Sequence, residues 1–221
     1  MRNKKLLKAL ALAGAAILLV VGSVLGTLAW LTDTEVVTNT ITVGKVAITL
    51  DEDDITNDDP TVRVTENSYK LIPGQVYTKD PTVTVKANSE DCYVRVMITV
   101  DKTDMWNAAC AKNSKPNATF NLADFVDIQS GWTLKTTTPD NEAKTVTYEY
   151  RYDTKVLAKN VDQKLTAVFT KLTIPADWDN AELGCFTGDA TIDVVAHAIQ
   201  AEGFDDAAEA WAAFDTPAQQ S

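Results

Sequence analysis

Beyond residue 30 the chain alternates apolar and polar residues with a period of two. From Cys92 to Val100 (CYVRVMITV), residues 92, 94, 96, 98 and 100 are apolar, while Arg95 and Thr99 fall on the other side. Val83 and Val85 alternate with Thr82, Thr84 and Lys86. Val146, Tyr148, Tyr150 and Tyr152 alternate with Thr145, Thr147, Glu149 and Arg151, and Ile192, Val194, Ala196 and Ala198 with Thr191, Asp193 and His197. Such strands bury one face and wet the other, which predicts antiparallel sheets. Residues 165–174 are apolar partly on both faces, as in a central or bulged strand. Ile41 and Val43 share one parity and Val46, Ile48 and Leu50 the other, so a turn or bulge is expected at Gly44 between them.

Turn chemistry separates these runs at 51–60, Pro73-Gly74, 87–91, Pro139-Asp140-Asn141 and Pro175-Ala176-Asp177. Short helices are predicted over 104–112 and 122–128, inside one long insertion between strands. A further helix is predicted over 205–214, with Asp205 or Asp206 as N-cap and Ala207, Ala208, Ala210, Trp211 and Phe214 on one apolar face. Roughly eight or nine strands with helices confined to insertions and the C-terminal end predict an all-β, two-sheet antiparallel sandwich over residues 30–221. No period of 20–50 residues recurs, which excludes a solenoid.

The first thirty residues break this pattern. Arg2, Lys4, Lys5 and Lys8 precede an uncharged stretch over 9–31, ALALAGAAILLVVGSVLGTLAWL. A basic segment, an apolar segment and then small residues make a secretory signal peptide over 1–29. Thr27 and Ala29 supply the small residues for cleavage before Trp30. An uncleaved membrane anchor is the other reading. Either way the rest of the chain ends outside the membrane.

Composition narrows the chemistry. The chain has 221 residues, with 20 Lys and Arg against 31 Asp and Glu. Four of those bases and no acid lie in the first 29 residues, so the remainder is more acidic still. Such a surface repels phosphate backbones and disfavours nucleic acid. A single histidine, His197, excludes histidine-rich metal sites. The spacing of Cys92, Cys110 and Cys185 matches neither a zinc pattern nor CxxC. Cys92 opens an alternating strand and is expected to pack as a small hydrophobe; a Cys110–Cys185 bridge is possible.

Several segments carry a family resemblance. Residues 26–35 (GTLAWLTDTE) and 37–46 (VTNTITVGKV) resemble the signal and mature start of TasA/camelysin-type exported proteins. Ile72–Val85 (IPGQVYTKDPTVTV) is similar to that family's "PG…KDP.V.V" segment, and 92–96, Gly131-Trp132 and 198–204 add further likeness. The resemblance implies a secreted subunit of extracellular biofilm-matrix or cell-surface fibres, a single jelly-roll domain over 30–221, processed by a SipW-type signal peptidase. It implies a homopolymer, with an accessory matrix protein as a further partner. The metalloprotease activity in the camelysin name is not carried over, because H-E-x-x-H is missing and one histidine cannot furnish the site.

No other motif points to catalysis or to a cofactor. G-x-S-x-G, a cysteine–histidine signature, the P-loop and GxGxxG are all missing. His197 and Asp193 share the polar parity of one strand and read as a solvated pair. Asp51, Asp53, Asp54, Asp58 and Asp59 offer oxygen ligands for weak calcium binding, but without EF-hand spacing they read first as a solvated hairpin loop. Asn117-Ala-Thr119 fits a glycosylation acceptor.

The segment 30–43 (WLTDTEVVTNTITV) is rich in β-branched residues and lacks proline. Trp30, Leu31, Val36, Val37, Ile41 and Val43 are its apolar positions. Once cleaved, such a strand can pair at home or add to a neighbour's sheet, and repeated donation builds a filament. The expected function is therefore a non-enzymatic fibre subunit assembling through this strand. A membrane-anchored monomeric binding module or adhesin, tied to the membrane only through its N-terminal segment, is the alternative.

Overall fold

A computed structural model describes residues 32–36, 39–42, 46–57, 59 and 61–216. The expected signal segment, its processing residues Thr27, Ala29 and Trp30, and the phase change at Gly44 lie outside them. The fold is mostly β and antiparallel. Its strands are β1 Thr32–Val36, β2 Asn39–Thr42, β3 Ile48–Asp53, β4 Arg63–Val64, β5 Val76–Thr78, β6 Thr82–Val85, β7 Cys92–Val100, β8 Trp132–Asp140, β9 Thr145–Tyr152, β10 Gln163–Lys164, β11 Lys171–Thr173 and β12 Ile192–Gln200. Helices α1 Thr103–Asn113, α2 Asn180–Leu183 and α3 Ala207–Asp215 fill insertions and close the described chain.

Six strands form one sheet in the order β2-β1-β12-β7-β9-β8. A second sheet runs β10-β6-β3-β4, and β11 pairs with β5 alone. The period-two residues meet between the sheets. Val46, Ile48, Leu50, Val83 and Val85 from the smaller sheet share one core with Val94, Val96, Ile98, Tyr148, Tyr150, Ala196 and Ala198 from the larger. Burying each large aliphatic side chain contributes about 1.5–3 kcal/mol, so this shared interior holds the architecture together.

An aromatic cluster seals the insertion onto that core. Trp106 of α1 packs with Phe120, Phe125 and Phe186 at ring distances of 5.0, 5.3 and 4.9 Å, and Trp178 lies 6.3 Å away. Residue Asp179 caps α2 through a reciprocal capping box with Glu182.

Several expectations need correction. The acidic run does not begin a loop at residue 51: Asp51–Asp53 complete β3, and the β3–β4 hairpin loop starts afterwards. Residues 165–174 are not one strand. The chain there passes from β10 to β11, and Val168 and Phe169 turn fully inward between them. Pro139 and Asp140 belong to β8, and the turn follows. The predicted helix over 122–128 is a single 3-10 turn, Leu122–Asp124. Asp206 caps α3, its carboxylate accepting from the N–H groups of Ala208 and Glu209; Ala208 itself points to solvent.

Candidate assembly surface

β1 is seated inside its own chain. It pairs antiparallel with β12, from Thr32 opposite Ile199 to Glu35 opposite Ala196, and on its other side with β2, from Asp33 opposite Thr42 to Val36 opposite Asn39. Of the apolar positions expected in the assembly segment, Val36 lies in β1 and Ile41 in β2. Trp30, Leu31, Val37 and Val43 lie outside the described residues. Among the described residues β12 links β1 to β7 and the rest of the six-stranded sheet, and it pairs with β7 along nine residues. Removing β1 would leave the β12 ladder open along that side.

The opposite edge is built differently. Among the described residues β8 pairs only with β9, and each of its residues after Trp132 is exposed, including Leu134 at 45%. A run of threonines suits extended backbone here without a buried face to alternate against. The register slips at Lys135, between Leu134 and Thr136, and Pro139 removes a backbone donor. A bulge, a lysine and a proline are the features that keep a free strand edge from pairing with another chain.

The acidic segment organises around an arginine. Arg63 donates from Nε to Asp51 at 2.7 Å and from Nη1 to Asp80 at 2.6 Å, and also bonds Asp53. Its Nη2 donates to the carbonyls of Asp51 and Asp80 at 3.0 and 3.2 Å. Burial works against the charged guanidinium, but the bonds to Asp80 and Asp51 outweigh it and hold the pKa above its ordinary value. Asp54, half-buried, and Asp59, exposed, fold back on their own loops, accepting from Thr56 and Thr61; those bonds hold both carboxyls below the usual range. Asp58 lies outside the described residues. Two of the calcium candidates thus already face a protein cation. Among the described residues no group of three or more His, Cys, Asp or Glu is placed to hold a metal.

Replacing Arg63 with alanine leaves Asp51, Asp53 and Asp80 facing one another without a counter-charge. The expected cost is about 1–3 kcal/mol at pH 7 and low salt, read from urea unfolding, and it should shrink at high salt, which screens the uncompensated carboxylates. An equal cost at low and high salt would refute this account of the cluster.

His197 is not the solvated partner of Asp193. Its Nδ1 accepts from the Nε–H of Arg95 at 3.2 Å, and its ring lies 5.0 Å from that of Phe214 in α3. Burial first, then the neighbouring Arg95 charge, push its pKa down to about 4, so the imidazole is neutral at pH 7. Arg95 also departs from its expected wet face: it is 4% exposed, covered by α3, and forked onto Asp215 at 2.8 and 2.6 Å. Strand parity put both residues on the correct face of the sheet. It carried no signal that a helix more than a hundred residues downstream of Arg95 covers that face.

Two of the three thiols, Cys92 and Cys110, are inert by placement. Cys92 and Cys110 are buried and Cys185 half-buried, and all three are free, so the Cys110–Cys185 bridge does not form. Burial pushes the Cys92 thiol up to about 12 and the Cys110 thiol to about 11. Asn117 is exposed, and its side-chain amide donates to Asp124 at 2.6 Å.

Among the described residues no helix is long and apolar enough to cross a membrane. No family model, no curated protein and no solved structure matches the chain.

Proposed function

We propose that the protein is a secreted, non-enzymatic structural subunit of the TasA/camelysin type, a jelly-roll sandwich that builds extracellular matrix or surface fibres after a SipW-like peptidase removes residues 1–29. The observation that carries this reading is the place of β1. It begins three residues after Ala29, the proposed end of the signal segment, and lies between β2 and the last strand of the sheet. In the single chain the segment is paired at home, so assembly proceeds by exchange. β1 leaves β12, and the β1 of a neighbour takes up the same register, from the position opposite Ile199 to that opposite Ala196. Each subunit gives and receives one strand, and the contact repeats without closing. The features at β8 that discourage strand addition favour the β1 side as the assembly end.

The residues behind the family reading are the segments 26–46 and 72–85. Zinc proteolysis is left out of it, since the sequence has one histidine and no H-E-x-x-H. The acidic surface keeps subunits apart at low salt, so assembly should quicken with ionic strength.

Electron microscopy of residues 30–221 beside a version starting at Lys45, at neutral and mildly acidic pH, tests the proposal. Filaments from the long form alone are expected, with loss of filaments when a Trp30–Val43 peptide competes for the β12 seat. Filaments from both forms would remove β1 as the cause of assembly. Monodisperse particles from both would favour the membrane-anchored binding module.

A further inference from the structure

We infer that α3 is a releasable cap on the outer face of the six-stranded sheet, fastened through Asp215 to an arginine, Arg95, that His197 of the sheet holds in position, and let go in acid.

α3 has nine residues, too few for a stable helix on its own, so its folding depends on docking. It docks onto a small cluster separate from the main core: Ala210 and Trp211 meet Ile199, with Tyr93, Phe204, Ala207 and Phe214 around them. Lifting α3 therefore leaves the interior between the sheets intact. The docked state also carries two local penalties. The Nε1 of Trp211 is buried with no hydrogen-bond partner, and Asp215 puts a carboxylate at the negative C-terminal end of the helix dipole.

Both penalties are tolerated because of Arg95. Its guanidinium sits 4.5 Å from the Trp211 ring and 4.9 Å from that of Phe214, between the two aromatic residues of α3 that face the sheet. Its two terminal nitrogens are forked onto Asp215, the last residue of the helix. Its third donor, Nε–H, points at His197, which serves only as an acceptor while neutral.

The charges around His197 come from each packed element. β7 supplies Arg95 and α3 supplies Asp215. β9 supplies Glu149, 3.6 Å from Arg95 Nη1, and Arg151, which donates to Glu149 at 2.6 Å and lies 5.9 Å from the Trp211 ring. β12 itself has Asp193 four residues earlier, and β1 places the uncharged Thr34 opposite in register.

Protonation of His197 turns Nδ1 into a donor aimed at a donor and adds a second cation beside Arg95. Undocking relieves the burial that chiefly holds the imidazole down, while Arg95 stays beside it on the sheet; docked, it resists protonation until about 4. The depressed value means that docking is at full strength above the undocked value and weakens as pH falls between the two. Below that window Asp215, held under its usual range first by its bond to Arg95, takes up a proton and the fork is lost as well. The arginine's seat on His197 and its grip on α3 thus fail in sequence as the pH falls. α3 is released whether or not subunits assemble.

Hydrogen exchange followed by mass spectrometry, on the full chain in a non-ionic detergent, tests the inference. Peptides covering 203–216 and 92–100 are compared at pH 7 and 4 after correction for intrinsic rates. Protection of α3 should fall at least about tenfold, one pKa unit of linkage, while Cys92–Val100 stays protected. His197→Gln keeps an acceptor for Arg95 without titrating, so its α3 should hold its protection down to pH 4.5. Asp215→Asn should loosen α3 already at pH 7. The inference is overturned if α3 stays protected at pH 4, or loses protection only in step with Cys92–Val100. It is also overturned if His197→Gln is as acid-labile as the natural protein.

Discussion

Exchange of Lys79 for methionine should destabilise the protein by about 3–5 kcal/mol at pH 7, the largest effect expected of a single charge change here. Lys79 and Glu52 are both buried, and Nζ lies 2.8 Å from Oε2. Tyr69 lies beneath the ammonium, 5.5 Å from nitrogen to ring centroid, and closes one side of the pair. Its own hydroxyl is driven up in pKa, first by burial and then by the nearby Glu52 and Asp80 charges. Methionine fills much of the lysine's volume, so the loss is electrostatic: a carboxylate remains in a low-dielectric site with no counter-charge. The loss is read from urea midpoints. The double variant Glu52→Leu, Lys79→Met removes both charges and should return close to the natural stability. A single variant within about 1 kcal/mol of it would show that water reaches Glu52.

The second large effect is expected at Trp106, where alanine should cost about 3–5 kcal/mol. This ring is the hub of the aromatic cluster, in contact with Phe120, Phe125, Trp178 and Phe186 from three different segments. Its indole N–H is buried without a partner, so the residue stabilises by packing and its polar atom works against it. Trp106→Phe removes the unpaired donor and leaves a smaller void, with an expected cost near 1 kcal/mol. The contrast in melting temperature is the readout. If alanine and phenylalanine cost the same, the cluster is not held by the volume of this ring.

How legible such features are depends on how local their causes lie. The alternation in 92–100, 145–152 and 192–200 is written residue by residue, because each strand has one face against the shared core. β8 has no buried face beyond Trp132, so nothing alternates, and only its β-branched threonines mark it as extended. Residues 51–53 read as a loop because acids are rare in strands; Arg63, placed across a hairpin, makes them acceptable there. For Arg95 and His197 the face was legible and the environment was not, since α3 arrives from the far end of the chain. Lys79 and Glu52 gave no local sign of pairing, being 27 residues apart. In the assembly segment the β-branched composition was plain, but a strand that can pair at home or with a neighbour has the same sequence in both cases.

The three free thiols have a consequence for where the protein can exist. No covalent cross-link ties distant parts of the chain, and the cohesion of the sheets comes from buried side chains and backbone ladders alone. Its folding free energy is therefore indifferent to the redox potential of its surroundings. Under the proposed export its folding would need no sulfhydryl oxidase beyond the membrane, and reducing surroundings that would open the bridges of a disulfide-built domain would leave this one intact.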